Sequence, residues 1–111
     1  MYNFNLLPNE ELIKVFDNIF IKQENNEKTT TIALTNKRLL FLDYLIENDY
    51  SEVLRIAKGI DYLKYKEVYF EISLENIKNI KEEKHYILFY DDKSFKFDNK
   101  ELYLLLKDKL K

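Results

Sequence analysis

The sequence predicts a mainly β domain, about seven antiparallel strands followed by one C-terminal amphipathic helix, and three observations predict it. Most of the chain alternates apolar and polar residues with period two, the pattern of strands with one buried face. Short polar or charged links of hairpin length separate the apolar runs. Only near the end does the period change to that of a helix.

In chain order, Leu6-Leu7-Pro8-Asn9-Glu10-Glu11 leads into a β-suited run from Leu12 to Ile21. There Ile13, Val15, Ile19 and Ile21 share one parity, Lys14 and Lys22 fall on the other, and Asp17-Asn18 predicts a bend or bulge. The polar stretch Gln23 to Lys28 reads as the loop of a first hairpin, and Thr29 to Leu34 as its β-branched return strand. After Leu34 comes the turn Thr35-Asn36-Lys37-Arg38, where Asn36 is placed to supply the positive φ that tight hairpin turns demand. Leu39 to Leu45 is nearly continuously apolar, as in a strand buried on both faces or covered at a barrel end, and Asp43 is its exception, needing solvent or a partner.

Between residues 46 and 66 the best match is a short inserted helix near residues 50-58, with Asp49 and Glu52 in capping-box spacing and Gly59 as its stop. Glu67 to Leu74 resumes period two, with Val68, Phe70, Ile72 and Leu74 opposite Tyr69, Glu71 and Ser73. Three further strands follow as a meander, Ile77 to Glu82, Tyr86 to Tyr90 and Ser94 to Phe97. Asp98 and Glu101 then repeat the capping-box spacing ahead of Leu102, Leu105, Leu106 and Leu110, one face of a helix roughly 18 Å long at 1.5 Å per residue.

Length and composition place all of this in a single domain spanning residues 1-111, large enough to hold a core without disulfides or a structural metal. The net charge of -2, with both signs interspersed, exerts no strong pull on nucleic acid or anionic lipid. Zero cysteines exclude disulfides, thiolate metal sites and cysteine nucleophiles. No run approaches the roughly 20 apolar residues of a membrane span, and the first residues lack the pattern of a signal peptide, so a cytoplasmic location is expected.

The wording Leu34-Thr35-Asn36-Lys37-Arg38-Leu39-Leu40-Phe41 resembles the second and third strands of GRAM and bacterial pleckstrin-homology-like domains. Leu74-Glu75-Asn76-Ile77 resembles the corner that follows the middle strand in the same family. This resemblance implies a barrel of about seven antiparallel strands capped by the C-terminal helix. It also raises phosphoinositide binding, in which a basic cluster on and after the first strand clamps the headgroup. Here the corresponding loop pairs Lys22 and Lys28 with Glu24 and Glu27, which argues against such a clamp. Lys22, Lys28, Lys37 and Arg38 are the weak ligand-binding candidates, and Arg38 is equally suited to pairing with a nearby carboxylate.

No catalytic residue, cofactor site or metal site is expected. His85 is the only histidine and reads as a surface loop residue, Asp91-Asp92 reads as a turn former, and one glycine cannot build a phosphate-cradling loop. Nucleic acid is an unlikely partner, because lysines interleaved with aromatics at Tyr62 to Phe70 lack a basic setting. Tyr44, Tyr50, Tyr62, Tyr65 and Tyr69 would suit a self-association or peptide-docking surface. The expected function is a non-enzymatic binding or scaffold module acting through protein contacts, received at an exposed edge strand or beside the terminal helix. The alternative is a lipid- or phosphorylated-headgroup-binding module at a membrane surface.

Overall fold

The structure, a computed structural model, describes residues 2–44 and 66–110. Eight strands form one sheet: β1 (Tyr2–Asn3), β2 (Leu12–Gln23), β3 (Asn26–Thr35), β4 (Arg38–Asp43), β5 (Lys66–Ser73), β6 (Ile77–Glu82), β7 (Tyr86–Tyr90) and β8 (Lys93–Phe97). A single 3-10 turn, Leu74–Asn76, joins β5 to β6, and helix α1 (Lys100–Lys109) ends the described chain. The spatial order is β1-β5-β4-β3-β2-β8-β7-β6. Neighbours are antiparallel except β1 and β5, which run parallel through Tyr2↔Lys66 and Asn3↔Glu67.

The sheet bends into two leaves joined only at the end of β2, where Ile21 and Lys22 pair with Phe97 and Lys96. The inner faces of both leaves and α1 share one core, including Phe16, Ile19, Ile32, Phe41, Leu88, Phe97, Leu102 and Leu106. Helix α1 thus buries its apolar stripe in the mouth between the leaves, the arrangement that spares both surfaces from water. A smaller cluster lies on the outer face, where Phe4 packs with Ala33, Leu40 and Leu42. That second cluster explains the unbroken apolar run of β4: Leu39 and Phe41 face inward, Leu40 and Leu42 face the N-terminal segment.

Several expectations are corrected. The sheet does not close into a barrel, because its end strands β1 and β6 do not pair, and the described residues form eight strands where about seven were expected. In β2 the register slips once between Leu12 and Lys14 and again between Phe16 and Ile19, so the strand carries two extra residues relative to β3. Each slip reverses the parity, and the inward set is Ile13, Phe16, Ile19 and Ile21, while Val15 joins the outer cluster. The bulge expected at Asp17-Asn18 is there, with Asn18 at φ 58°.

The first hairpin is tighter than the polar stretch implied. β2 and β3 run to Gln23↔Asn26, leaving only Glu24 and Asn25 as the turn, with Glu24 at φ 56°. Asn36 is not among the described residues with positive φ; its side chain acts elsewhere, as shown below. The cap of α1 is Asn99, not Asp98: its side chain accepts from the Leu102 amide at 2.9 Å. Tyr103 joins Leu102 and Leu106 as a buried helix residue, its ring stacked on Tyr86 at 4.5 Å. Asp43 finds its partner in Lys28 at 3.4 Å. The expected helix near residues 50-58 and three of the five tyrosines, Tyr50, Tyr62 and Tyr65, lie outside the described residues.

Candidate functional site

A cleft of about 350 Å³ opens between the two leaves near the β2–β3 turn. Its floor is aromatic: Phe41 from β4, Tyr69 and Phe70 from β5, Tyr90 from β7 and Phe95 from β8, with Ile21 beside them. Phe41, Phe70, Tyr90 and Phe95 contact one another in a closed circuit, with successive ring centroids 5.6, 6.1, 6.0 and 5.7 Å apart and tilted or edge-on. Such geometry is the favoured one for aromatic rings and holds the floor in shape. Phe70 remains 43% exposed and Tyr69 36%, large apolar surface left facing water.

Two consecutive residues, Tyr69 and Phe70, reach the same cleft because β5 is irregular. Phe41 pairs with Phe70 but Leu42 with Val68, so Tyr69 is an extra residue on the β5 side. Val68 consequently turns to the outer cluster, away from the face that period two had assigned it with Phe70 and Ile72. The Thr30 hydroxyl donates to the Leu42 carbonyl at 3.1 Å and accepts from the Tyr69 hydroxyl at 2.8 Å, which fixes the Tyr69 ring.

The cleft rim is polar. Gln23, Asn26, Lys28 and Lys93 complete the lining, and no carboxylate is among the described residues that form it. Gln23 Nε2 donates to the Tyr90 hydroxyl at 3.0 Å and to the Ser94 carbonyl at 3.3 Å. The Lys28 ammonium lies 4.0 Å from the Tyr69 ring centroid and 3.4 Å from Asp43. Lys93 makes no ion pair with any of the described residues.

The four cations read from the sequence do not converge. Lys28 lines the cleft, whereas Lys22, one residue from inward-facing Ile21, lies on the opposite face and pairs with Glu27 at 3.5 Å. Lys37 and Arg38 sit at the far end of β3, roughly 24 Å from Lys28 at 3.4 Å per residue. There the Arg38 guanidinium grips the Glu10 carboxylate with two bonds, Nε at 2.8 Å and Nη2 at 2.9 Å, and reaches Glu71 at 2.6 Å and the Asn5 carbonyl at 2.7 Å. The Glu10 side chain is 0% exposed and also accepts from the Thr35 hydroxyl and the Leu7 amide, each at 2.7 Å.

Arg38 above all, helped by Thr35 and the Leu7 amide, holds the Glu10 carboxyl down to about 2, against the opposing effect of burial. Asn36 belongs to the same assembly, accepting from the Glu11 amide at 2.7 Å and donating to the Asn9 carbonyl at 3.2 Å. The hairpin turn is thereby clamped to the segment preceding β2. Lys37 Nζ adds a bond to the Pro8 carbonyl at 2.8 Å.

His85 is exposed in the turn between β6 and β7. Asp91 and Asp92 form the β7–β8 turn, with Asp91 at φ 50°. Among the described residues no group of three or more His, Asp or Glu side chains is placed to hold a metal ion. No described helix is long and apolar enough to cross a membrane.

The sequence reading found Lys28 and Tyr69 but not the cleft, whose lining comes from six strands. The available signal was the set of inward aromatics at Phe41, Phe70, Tyr90 and Phe95.

No family model matches the sequence, and no curated protein matches it either. Among solved structures it is similar to the Vps36 N-terminal PH domain, with a TM-score of 0.58 over 96% of this chain and 83% of that one. The sequence identity is 10%, so the likeness is one of backbone arrangement. The open, bent sheet with a helix between its leaves is a pleckstrin-homology-like fold.

Proposed function

We propose that the chain is a non-enzymatic binding module that takes a segment of a partner protein, or of a second copy of itself, into the aromatic cleft. The observation that carries this reading is the floor itself, five rings of which Phe70 and Tyr69 stay substantially exposed. Exposed aromatics in a concave site are what protein partners use as anchoring surface. The rings, amides and ammonium groups of the lining are recognition chemistry. Domains of this fold commonly bind proteins or lipids, which supports the class of function without choosing between them.

Charge favours the protein reading. Headgroup phosphates call for several fixed cations, whereas Lys22 and Lys28 are each answered by an acid and Arg38 is committed to Glu10 and Glu71. A GRAM-like variant of the fold, a bacterial home and a cytoplasmic location are part of the same proposal, the first two resting on the wording of Leu34 to Phe41.

Selection of peptides from a displayed library, with counter-selection on Phe70→Ser, tests it. Enriched peptides should bind the wild type and lose binding to the variant, while the protein stays in the supernatant with anionic vesicles. Sedimentation with phosphoinositide vesicles that Lys28→Glu abolishes would overturn the reading in favour of a lipid headgroup.

A further inference from the structure

We infer that the cleft receives the C-terminal residue of its partner protein, an apolar side chain against the rings and the terminal carboxylate at Lys93. This rests on the reading of the cleft as a protein-binding site and adds the chemistry of the occupant. Among the described residues the lining holds two lysines and no carboxylate beside an apolar floor. Lys28 is answered by Asp43 and the Tyr69 ring, but Lys93 has no ion pair among the described residues. An apolar group that carries one negative charge is the complement of that surface.

The geometry of an extended chain narrows the source. In an extended segment immediate neighbours point to opposite sides and the next side chain on the same side lies roughly 7 Å along, so an internal apolar residue and its acid span more of the cleft than one chain end does. At a C-terminus the carboxylate and the side chain belong to the same residue and enter together. The volume, about 350 Å³, is at the small end of ligand sites and suits a chain end more than a strand passing through. A second donor is at hand: the Asn26 side-chain amide lines the rim and makes no hydrogen bond among the described residues.

Calorimetric titration with four hexapeptides ending in Phe, Tyr, Leu or Ile, each as free acid and as amide, tests the inference. The best free acid should bind about tenfold tighter than its amide, the scale of one charge-assisted hydrogen bond. Lys93→Gln should erase that difference, so that free acid and amide bind the variant alike. Equal binding of acid and amide would overturn the inference and leave the cleft reading standing. Absence of binding by every peptide would remove the cleft reading itself. Dodecanoate binding more tightly than every peptide would overturn the assignment to a protein end.

Discussion

At one end of β3 and β4 the Glu10 carboxylate accepts four hydrogen bonds, two of them from Arg38, and every oxygen is answered. At the other end of the same strands, Phe70 and Tyr69 face water over a cleft whose Lys93 forms no ion pair among the described residues. The difference separates two uses of polar and aromatic residues. A saturated buried pair orders the chain around it and has nothing left to offer a ligand. Groups left partly unsatisfied at a surface cost little in stability and remain free to bind.

Breaking the clamp should have the largest effect. Arg38→Ala leaves the buried Glu10 carboxylate uncompensated and should lower stability by about 3 kcal/mol or more, read from urea unfolding. A loss below about 1 kcal/mol would show that the pair is far less buried than its contacts indicate.

Acid should reach the clamp through the same carboxylate. Because folding lowers the Glu10 pKa from 4.5 to about 2, its contribution is complete above pH 4.5 and is lost as pH falls toward 2. Asp17, lowered chiefly by the hydrogen bond from the Tyr2 hydroxyl, adds loss of the same sign. The unfolding midpoint should therefore drop across that window, and Glu10→Gln should flatten the drop.

Smaller again is the helix cap. Asn99→Ala removes the acceptor of the Leu102 amide and should cost about 1 kcal/mol, measured by thermal unfolding. At the cleft, Phe70→Ser should cost no more than the cap, about 1 kcal/mol or less, since the ring is already 43% exposed and gives up only its contacts with Phe41 and Tyr90. The same substitution should have the greatest consequence for peptide binding, and that inversion is the sharpest form of the comparison. Equal loss of stability at Phe70 and Arg38 would erase it.

Much of the fold was legible because alternation reports a buried face directly. The bounds of β6 and β7 agree with their apolar runs, β8 starts one residue earlier at Lys93, and β4 is covered on both faces as its Leu-Leu-Phe-Leu pattern implied. What was not legible depends on single extra residues. The slips in β2 moved Phe16 into the core and Val15 out of it, and the slip in β5 brought Tyr69 to the cleft. Asp17-Asn18 announced the second slip in β2, but no local pattern announced the first or the one at Tyr69, which appear only when the register with the neighbouring strand is known. Asn36 illustrates a second limit: the residue was singled out for its backbone, yet it works through its side chain, on Asn9 and Glu11. The cleft was hidden for a third reason, since residues from Ile21 to Phe95 meet there only after the sheet has bent.

The parallel pairing of β1 with β5 also bears on how the chain assembles. Asn3 and its hydrogen-bond partner Glu67 are 64 residues apart, whereas β2, β3 and β4 are joined by tight turns. Contacts between distant residues carry the larger loop-closure cost and form slowly. Tyr2 and Asn3 cannot take up this pairing until β5 is present. Until β5 is in place Ala33, Leu40 and Leu42 lack the cover of Val68, and that apolar surface is open to aggregation.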